Sequence, residues 1–315
     1  MSQRILLTGG SGMVGRNLQD LARERGVEML APSSSDLNLC DSHQTATYLS
    51  EVRPDFVIHA AGHVGGIQAN MREPAQFLVD NWDMGRNIVL ASRDAGVRRL
   101  INLGTSCMYP RNSAEALKEA DVLTGALEPT NEGYALAKIA VAKLCEYVSR
   151  ETPDFSYKTL IPCNLYGPYD KFDPARSHLV PAVIHKLHRA KLEHRDTVDI
   201  WGDGSARREF MHARDLADAI LTAVDKFDTL PVLMNVGLGR DYSVNEYYST
   251  AAEVIGYQGR FSHDVGKPIG MSRKLTDVSL ATAWGWTAQT ELRDGLRLTY
   301  EYYLSSGVSN VISTG

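Results

Sequence analysis

The run Ile5-Leu6-Leu7-Thr8-Gly9-Gly10-Ser11-Gly12-Met13-Val14-Gly15 constrains this chain more than any other stretch, because it joins a short apolar strand to a helical pattern through spaced glycines. Gly9, Gly12 and Gly15 let the backbone turn tightly and approach a pyrophosphate, which then rests on the amide groups at a helix N-terminus. Spaced glycines alone are common, but between an N-terminal strand and a helix they mark a dinucleotide site. The first half of the chain keeps the same rhythm. Strands are predicted over 4–8, 27–31, 56–60, 100–103 and 159–162, and helices over 13–25, 43–52, 75–95 and 134–151, with apolar residues recurring three and four apart in each helix. Such alternation dictates an α/β fold, a Rossmann-type doubly wound parallel sheet.

After Tyr166-Gly167-Pro168 the rhythm gives way to loops rich in Gly, Pro and Asp. Helices are predicted near 179–189, 215–224 and 244–254 and a strand over 233–236. The expected organisation is a nucleotide-binding domain over 1–166, rejoined by late segments near 211–245, with 167–315 forming mainly a smaller α/β substrate-binding subdomain. Apolar residues make up 43% of the 315 positions and charged ones 23%, which excludes a disordered chain. The net charge is −5 with no basic block, so nucleic acid is a poor partner. No apolar run reaches the ~18 residues of a spanning helix. Cys40, Cys107, Cys145 and Cys163 match neither a disulfide framework nor a paired-cysteine metal site. A soluble, cytoplasmic protein without a metal is predicted. His185, His188 and His194 have the spacing of a solvated helix rather than of a zinc site.

The second strand should deliver the residue that reads the adenosine ribose, and it is followed by Ala31-Pro32-Ser33-Ser34-Ser35. Serines donate to phosphate oxygens, and Arg16 in the first helical turn could add charge; no arginine follows the strand itself. This leans towards NADPH. Asp41 is placed either to meet the adenine edge or to serve as a charge at a helix N-terminus. Tyr134 and Lys138 stand one helical turn apart, and an ammonium beside a phenol lowers the phenol's pKa. Such a pair exchanges a proton with a carbonyl or alcohol. Leu103-Gly104-Thr105-Ser106 ends the preceding strand at the sheet edge where ligands bind, and its hydroxyls can orient a carbonyl. If the pleat persists, Ser106 points to the opposite side from Thr105.

The glycine loop, Thr105 and Tyr134-Ala135-Leu136-Ala137-Lys138 together resemble the extended short-chain dehydrogenase/reductase family, in which threonine here replaces a frequent serine. Val64-Gly65-Gly66-Ile67-Gln68-Ala69-Asn70, Ser106-Cys107-Met108-Tyr109-Pro110, Glu128-Pro129-Thr130-Asn131-Glu132-Gly133-Tyr134, Asn164-Leu165-Tyr166-Gly167-Pro168, Ser177-His178-Leu179-Val180-Pro181 and Arg208-Glu209-Phe210 are similar to its members that epimerise and reduce GDP-linked 4-keto sugars. The resemblance implies epimerisation of GDP-4-keto-6-deoxy-D-mannose at carbons 3 and 5 and reduction at carbon 4 by NADPH. Related GDP-linked substrates of heptose or colitose type remain open. It also implies a homodimer packed through the tyrosine-bearing helix.

By the same resemblance Cys107 is the base of the epimerisation and His178 the acid. Thr105, Tyr134 and Lys138 carry the reduction. The cofactor is met by Gly9, Gly12, Met13, Val14, Gly15, Asp41, Lys138, Pro162, Asn164, Leu165 and His178, and the GDP-sugar by Lys186, Trp201, Arg208 and Lys274. The alternative for Trp201 is a core aromatic beside a turn. A binding module that holds NADPH without turnover would not need the hydroxyl, tyrosine and lysine set, and a 4-epimerase of galactose type would not need Cys107 or His178. A dehydratase would want an acidic pair after Thr105, where Ser106 and Cys107 stand.

Overall fold

Strict alternation in the first strand sends Ile5 and Leu7 to one face of a sheet and Leu6 to the other, and both faces are covered. The computed structural model describes residues 3–111, 115–173, 177–266 and 273–307. Along the first half run β1 (Ile5–Thr8), α1 (Met13–Glu24), β2 (Met29–Leu30), α2 (Ser42–Val52), β3 (Phe56–His59), α3 (Ile67–Arg72), α4 (Pro74–Asp94), β4 (Arg99–Leu103), α5 (Glu132–Glu151) and β5 (Ser156–Pro162). The second half adds β6 (Asn164–Tyr166), α6 (Leu179–Leu192), β7 (Thr197–Trp201), β8 (Arg207–Arg208), β9 (Phe210–His212), α7 (Ala213–Asp225), β10 (Leu233–Val236), β11 (Tyr242–Ser243), α8 (Val244–Ile255), β12 (Arg260–Asp264), β13 (Arg273–Lys274), α9 (Ser279–Trp284) and α10 (Leu292–Ser305).

Six strands form one parallel sheet in the order β10-β5-β4-β3-β1-β2, the doubly wound Rossmann-type arrangement. The winding reverses at β1, which has β2 on one side and β3 on the other, so the loops after β1 and β3 part above the carboxyl edge. On one face Ile5, Leu7 and Ile58 pack on Leu18 and Leu21 of α1 and on Leu216 and Ile220 of α7. On the other, Leu6, Val57 and Leu100 meet Leu49 of α2, Ile88 and Val89 of α4, and Val141 and Val148 of α5. Each such side chain contributes roughly 1.5–3 kcal/mol on burial. Thr8, His59, Asn102 and Thr159 are register partners across four adjacent strands, a buried polar row inside this apolar sheet. Thr8 Oγ1 and His59 Nδ1 are 2.8 Å apart, and Asn102 Nδ2 donates to Thr159 Oγ1 at 3.2 Å. A slip of one residue would break both contacts, which fixes the register.

A second core gathers α6, α8, α10 and β7. Here the solvated-helix reading of His185 and His188 is corrected. Both are buried, His185 Nδ1 lying 2.9 Å from the Tyr303 hydroxyl and His188 Nδ1 3.0 Å from that of Tyr300. Their helical spacing aims them at α10, a partner distant in sequence. Among the described residues no helix is long and apolar enough to cross a membrane.

At Gly85 an added Cβ would lie 2.2 Å from Val141 Cγ2, so α4 and α5 meet there without room for a side chain. Helix propensity favours alanine over glycine by about 1 kcal/mol, whereas overpacking costs roughly 1–3 kcal/mol. Gly85→Ala is therefore expected to lower the urea midpoint of unfolding; a raised midpoint would show slack between the helices.

Candidate active site

The loop after β1 is shaped by close approach. Gly9 takes a φ of 76°, and a Cβ there would sit 2.6 Å from the Ala61 amide nitrogen; one on Gly15 would sit 2.2 Å from the Gly9 carbonyl oxygen. Gly12 is different. Its nearest neighbour to an added Cβ is the Gly9 carbonyl at 3.5 Å, an ordinary contact, so the protein itself does not require glycine there. Gly12 is the N-cap of α1 and offers no side-chain cap, which leaves the first-turn amides at Met13 and Val14 open to an anion. A dinucleotide pyrophosphate fits that opening.

Across the switch point, β4 ends at Leu103 and Thr105 caps a single turn of 3-10 helix, Ser106–Met108. The pleat therefore does not persist, and Ser106 turns into the protein at 3% exposure. Lys138 on α5 is buried and donates to the Leu103 carbonyl at 3.0 Å. Burial pushes its pKa down to about 8. Its Nζ stands 6.0 Å from the centre of the Tyr134 ring. The expected lowering of the phenol pKa is not found. Burial first, and then the charge of a Cys107 thiolate, raise Tyr134 above its ordinary value, with a hydrogen bond to Thr105 pulling the other way. Low dielectric dominates, and Tyr134 keeps its proton at neutral pH.

Cys107 is partly exposed beside this set. Asn131 Nδ2 donates to its sulfur at 3.2 Å and Lys274 Nζ lies 3.9 Å from it. Asn131 carries no role in the sequence reading. The signal available was its position three residues before Tyr134, one helical turn away on the same face. Its Oδ1 is buried with no partner.

Lys274 reaches the thiol because β13 pairs in parallel with β8, with Lys274 opposite Arg208 and Arg273 opposite Arg207. On the far side of this small sheet Asp241 takes both arginines, Arg207 Nε at 2.7 Å and Arg273 Nε at 2.5 Å. Glu209, 1% exposed, ties the sheet to the end of β10: its carboxylate accepts from the amides of Leu238 at 2.7 Å, Gly239 at 2.9 Å and Thr276 at 2.8 Å, and from the Thr276 hydroxyl at 2.7 Å.

The remaining predicted residues divide. Asn164 donates to the Glu209 carbonyl at 3.1 Å, Pro162 ends β5 beside Val236, and Leu165 packs on the first core. Asp41 is the N-cap of α2, accepting from the amides of His43 at 2.9 Å and Gln44 at 3.0 Å, the second of its two readings. Lys186 is committed to Asp199, 2.8 Å from the carboxylate, rather than turned to an open phosphate site. Trp201 is 59% exposed, so it is not a core aromatic. Arg208 is half-buried in β8, which lowers its pKa. His178 heads α6 without capping it and is exposed by area, yet protein crowds it on several sides. Burial first, and then the Lys171 ammonium, hold its pKa below the ordinary value.

Residues 5–237 match the NAD dependent epimerase/dehydratase family. The chain belongs to that family. It is 51% identical over 302 residues to the GDP-L-colitose synthase of Yersinia pseudotuberculosis, covering 96% of this chain and 98% of that protein. It is 50% identical over 303 residues to the GDP-L-fucose synthase of Azorhizobium caulinodans, covering 96% and 97%. Among solved structures, MlghC, a GDP-mannoheptose C4 reductase from Campylobacter jejuni with NADP bound, superposes with a TM-score of 0.88 at 28% identity, covering 96% of this chain and 98% of that one.

Two outcomes check the site. Glu209→Gln sets an amide NH2 against groups that already donate and is expected to cost on the order of 1.5–3 kcal/mol, read as a fall in melting temperature; no fall would mean the four bonds are dispensable. The His178 ring, followed by NMR, is expected to titrate below about 6.5 and to move up in Lys171→Gln. A midpoint above that value, or no response to Lys171→Gln, would contradict the electrostatic account.

Proposed function

We propose that this chain epimerises GDP-4-keto-6-deoxy-D-mannose at carbons 3 and 5 and reduces the ketone at carbon 4, forming GDP-L-fucose with NADPH as reductant. The observation that carries this reading is the thiol of Cys107 close enough to Tyr134 to act on its phenol, with Asn131 donating to the sulfur. A plain ketoreductase has no use for that thiol.

The ketone acidifies the hydrogens on its neighbouring carbons. Cys107 as thiolate takes one such proton, leaving an enolate and a thiol, and His178 returns a proton to the opposite face. The negative charge of a bound diphosphate favours the imidazolium needed for that step, against the burial that disfavours it in the free chain. When bound, NADPH supplies the hydride for carbon 4. Tyr134 gives its proton to the oxygen that becomes an alkoxide, and its raised pKa keeps that proton available throughout the neutral range. Thr105 orients the same oxygen, and Lys138 holds its ammonium under the cleft. The open first turn of α1, with Gly9, Gly12, Met13, Val14 and Gly15, would hold the cofactor pyrophosphate, and Pro162, Asn164 and Leu165 would meet the cofactor farther along the carboxyl edge of the sheet. Asp41 would bear on the adenine end only through the start of α2, which it caps. Arg208 and the exposed face of Trp201 serve the GDP moiety. Lys274, opposite Arg208 and 3.9 Å from the thiol, joins them, and Lys186 joins only by leaving Asp199.

Residues 1–166 with the segment near 211–245 form the cofactor domain in this reading, and most of 167–315 the sugar-nucleotide subdomain. The four free thiols fit a reducing, cytoplasmic setting. A homodimer follows from the outer stripe of α5, where Leu136 is 42% and Tyr147 43% exposed, beside Leu78 and Val79 of α4 at 37% and 50%. Light scattering should give twice the chain mass for the native protein and the single mass for Val79→Glu/Leu136→Glu; a native monomer would contradict it.

The 51% identity to a colitose synthase favours one second reading, a GDP-linked precursor of colitose as substrate. Incubation of each sugar nucleotide with NADPH in deuterated water, with the product and its label positions read by NMR, separates the two. GDP-L-fucose labelled at carbons 3 and 5 is expected. In Cys107→Ser label entry should fall by at least about a hundredfold, the lower end for a positioned acid–base group, and in His178→Asn by a smaller factor. Undiminished entry in Cys107→Ser would remove it as the base.

A further inference from the structure

NADPH and NADH differ by one phosphate on the adenosine ribose, and doubly wound folds meet that ribose at the carboxyl end of the second strand. Here β2 ends at Leu30 and the chain turns through Ala31-Pro32-Ser33-Ser34-Ser35-Asp36. This exit stands beside the glycine loop, since a Cβ added to Gly10 would lie 2.8 Å from that of Ala31. Asp36 folds back onto it: Oδ2 accepts from the Ser33 amide at 3.1 Å and from the Ser33 hydroxyl at 2.6 Å. Those bonds hold the carboxyl below its usual range, so it is anionic at neutral pH.

No lysine or arginine occurs between Gly26 and Arg53. The cation that the sequence offers, Arg16, lies with its guanidinium 5.2 Å from the Tyr169 ring centre. Gln19 occupies the side of α1 facing β2, its Nε2 donating to the Gly10 carbonyl at 2.7 Å. A guanidinium on a 2′-phosphate would favour NADPH by roughly ten- to a hundredfold. This site instead presents two serine hydroxyls, 2.7 Å apart, and a carboxylate.

We propose that this chain scarcely discriminates between the two cofactors: Ser33 and Asp36 form a ribose site that takes NADH about as readily as NADPH. Asp36 accepts from a ribose 2′-hydroxyl and repels a 2′-phosphate, while the serine hydroxyls donate to either. The inference rests on the reading of the chain as a nicotinamide-dependent enzyme. Titration calorimetry of the full chain with NADP+ and NAD+ tests it without turnover. Dissociation constants within about tenfold of one another are expected, and NADP+ binding more than tenfold tighter overturns the proposal. Ser33→Arg should tighten NADP+ by at least about tenfold and leave NAD+ unchanged; Asp36→Asn should shift the ratio the same way by a smaller factor. No shift in either variant overturns the assignment. Arg16→Ala should leave the ratio unchanged, and a selective loss of NADP+ binding would assign the phosphate to Arg16 instead. If neither nucleotide binds, the cofactor reading itself falls, a result distinct from strong NADP+ preference.

Discussion

The Lys138 ammonium is buried below the carboxyl edge of the sheet and bonded to the carbonyl of Leu103, the last residue of β4. Taking an ammonium out of water costs several kcal/mol unless a partner compensates. The bond therefore presses one turn of α5 against the end of one strand. That turn carries Tyr134, and the strand runs on into Thr105 and Cys107, so a single contact brings phenol, hydroxyl and thiol together. A pKa near 8 still leaves the ammonium mostly charged at neutral pH. Tyr134 is governed instead by the low dielectric both groups share, which raises its pKa. For a reduction this is the useful sense, because the phenol must hold its proton until an alkoxide appears.

The second constraint comes from far along the chain. Two buried carboxylates, Asp241 and Glu209, fix β8 and β13 with respect to the end of β10. Arg208 and Lys274 are thereby set side by side, and Lys274 comes to the thiol. In the proposed reaction, sugar-nucleotide binding and proton abstraction share this wall.

What could be read in the sequence follows from range. The α1 helix and the glycine loop were legible because strand, turn chemistry and helical period lie within some twenty residues. The Tyr134 and Lys138 pair was legible for the same reason. Strand β2 is shorter than its pattern predicts because it is the sheet edge, with Leu30 41% exposed and no second neighbour. The fate of Lys186 was not legible, since Asp199 lies on a separate strand. Nor was the approach of Lys274 to Cys107, which depends on a pairing of two-residue strands 66 positions apart. The burial of His185 and His188 required α10, whose Leu292–Ser305 segment was not anticipated.

The proposed reaction divides its labour between two groups, with a thiol handling ring protons and a phenol handling the new hydroxyl. Tyr134→Phe, incubated with GDP-4-keto-6-deoxy-D-mannose and NADPH in deuterated water, tests it most directly. Deuterium should still enter the sugar ring at near the native rate while cofactor oxidation nearly stops. Equal loss of both would show that the two chemistries do not have separate carriers.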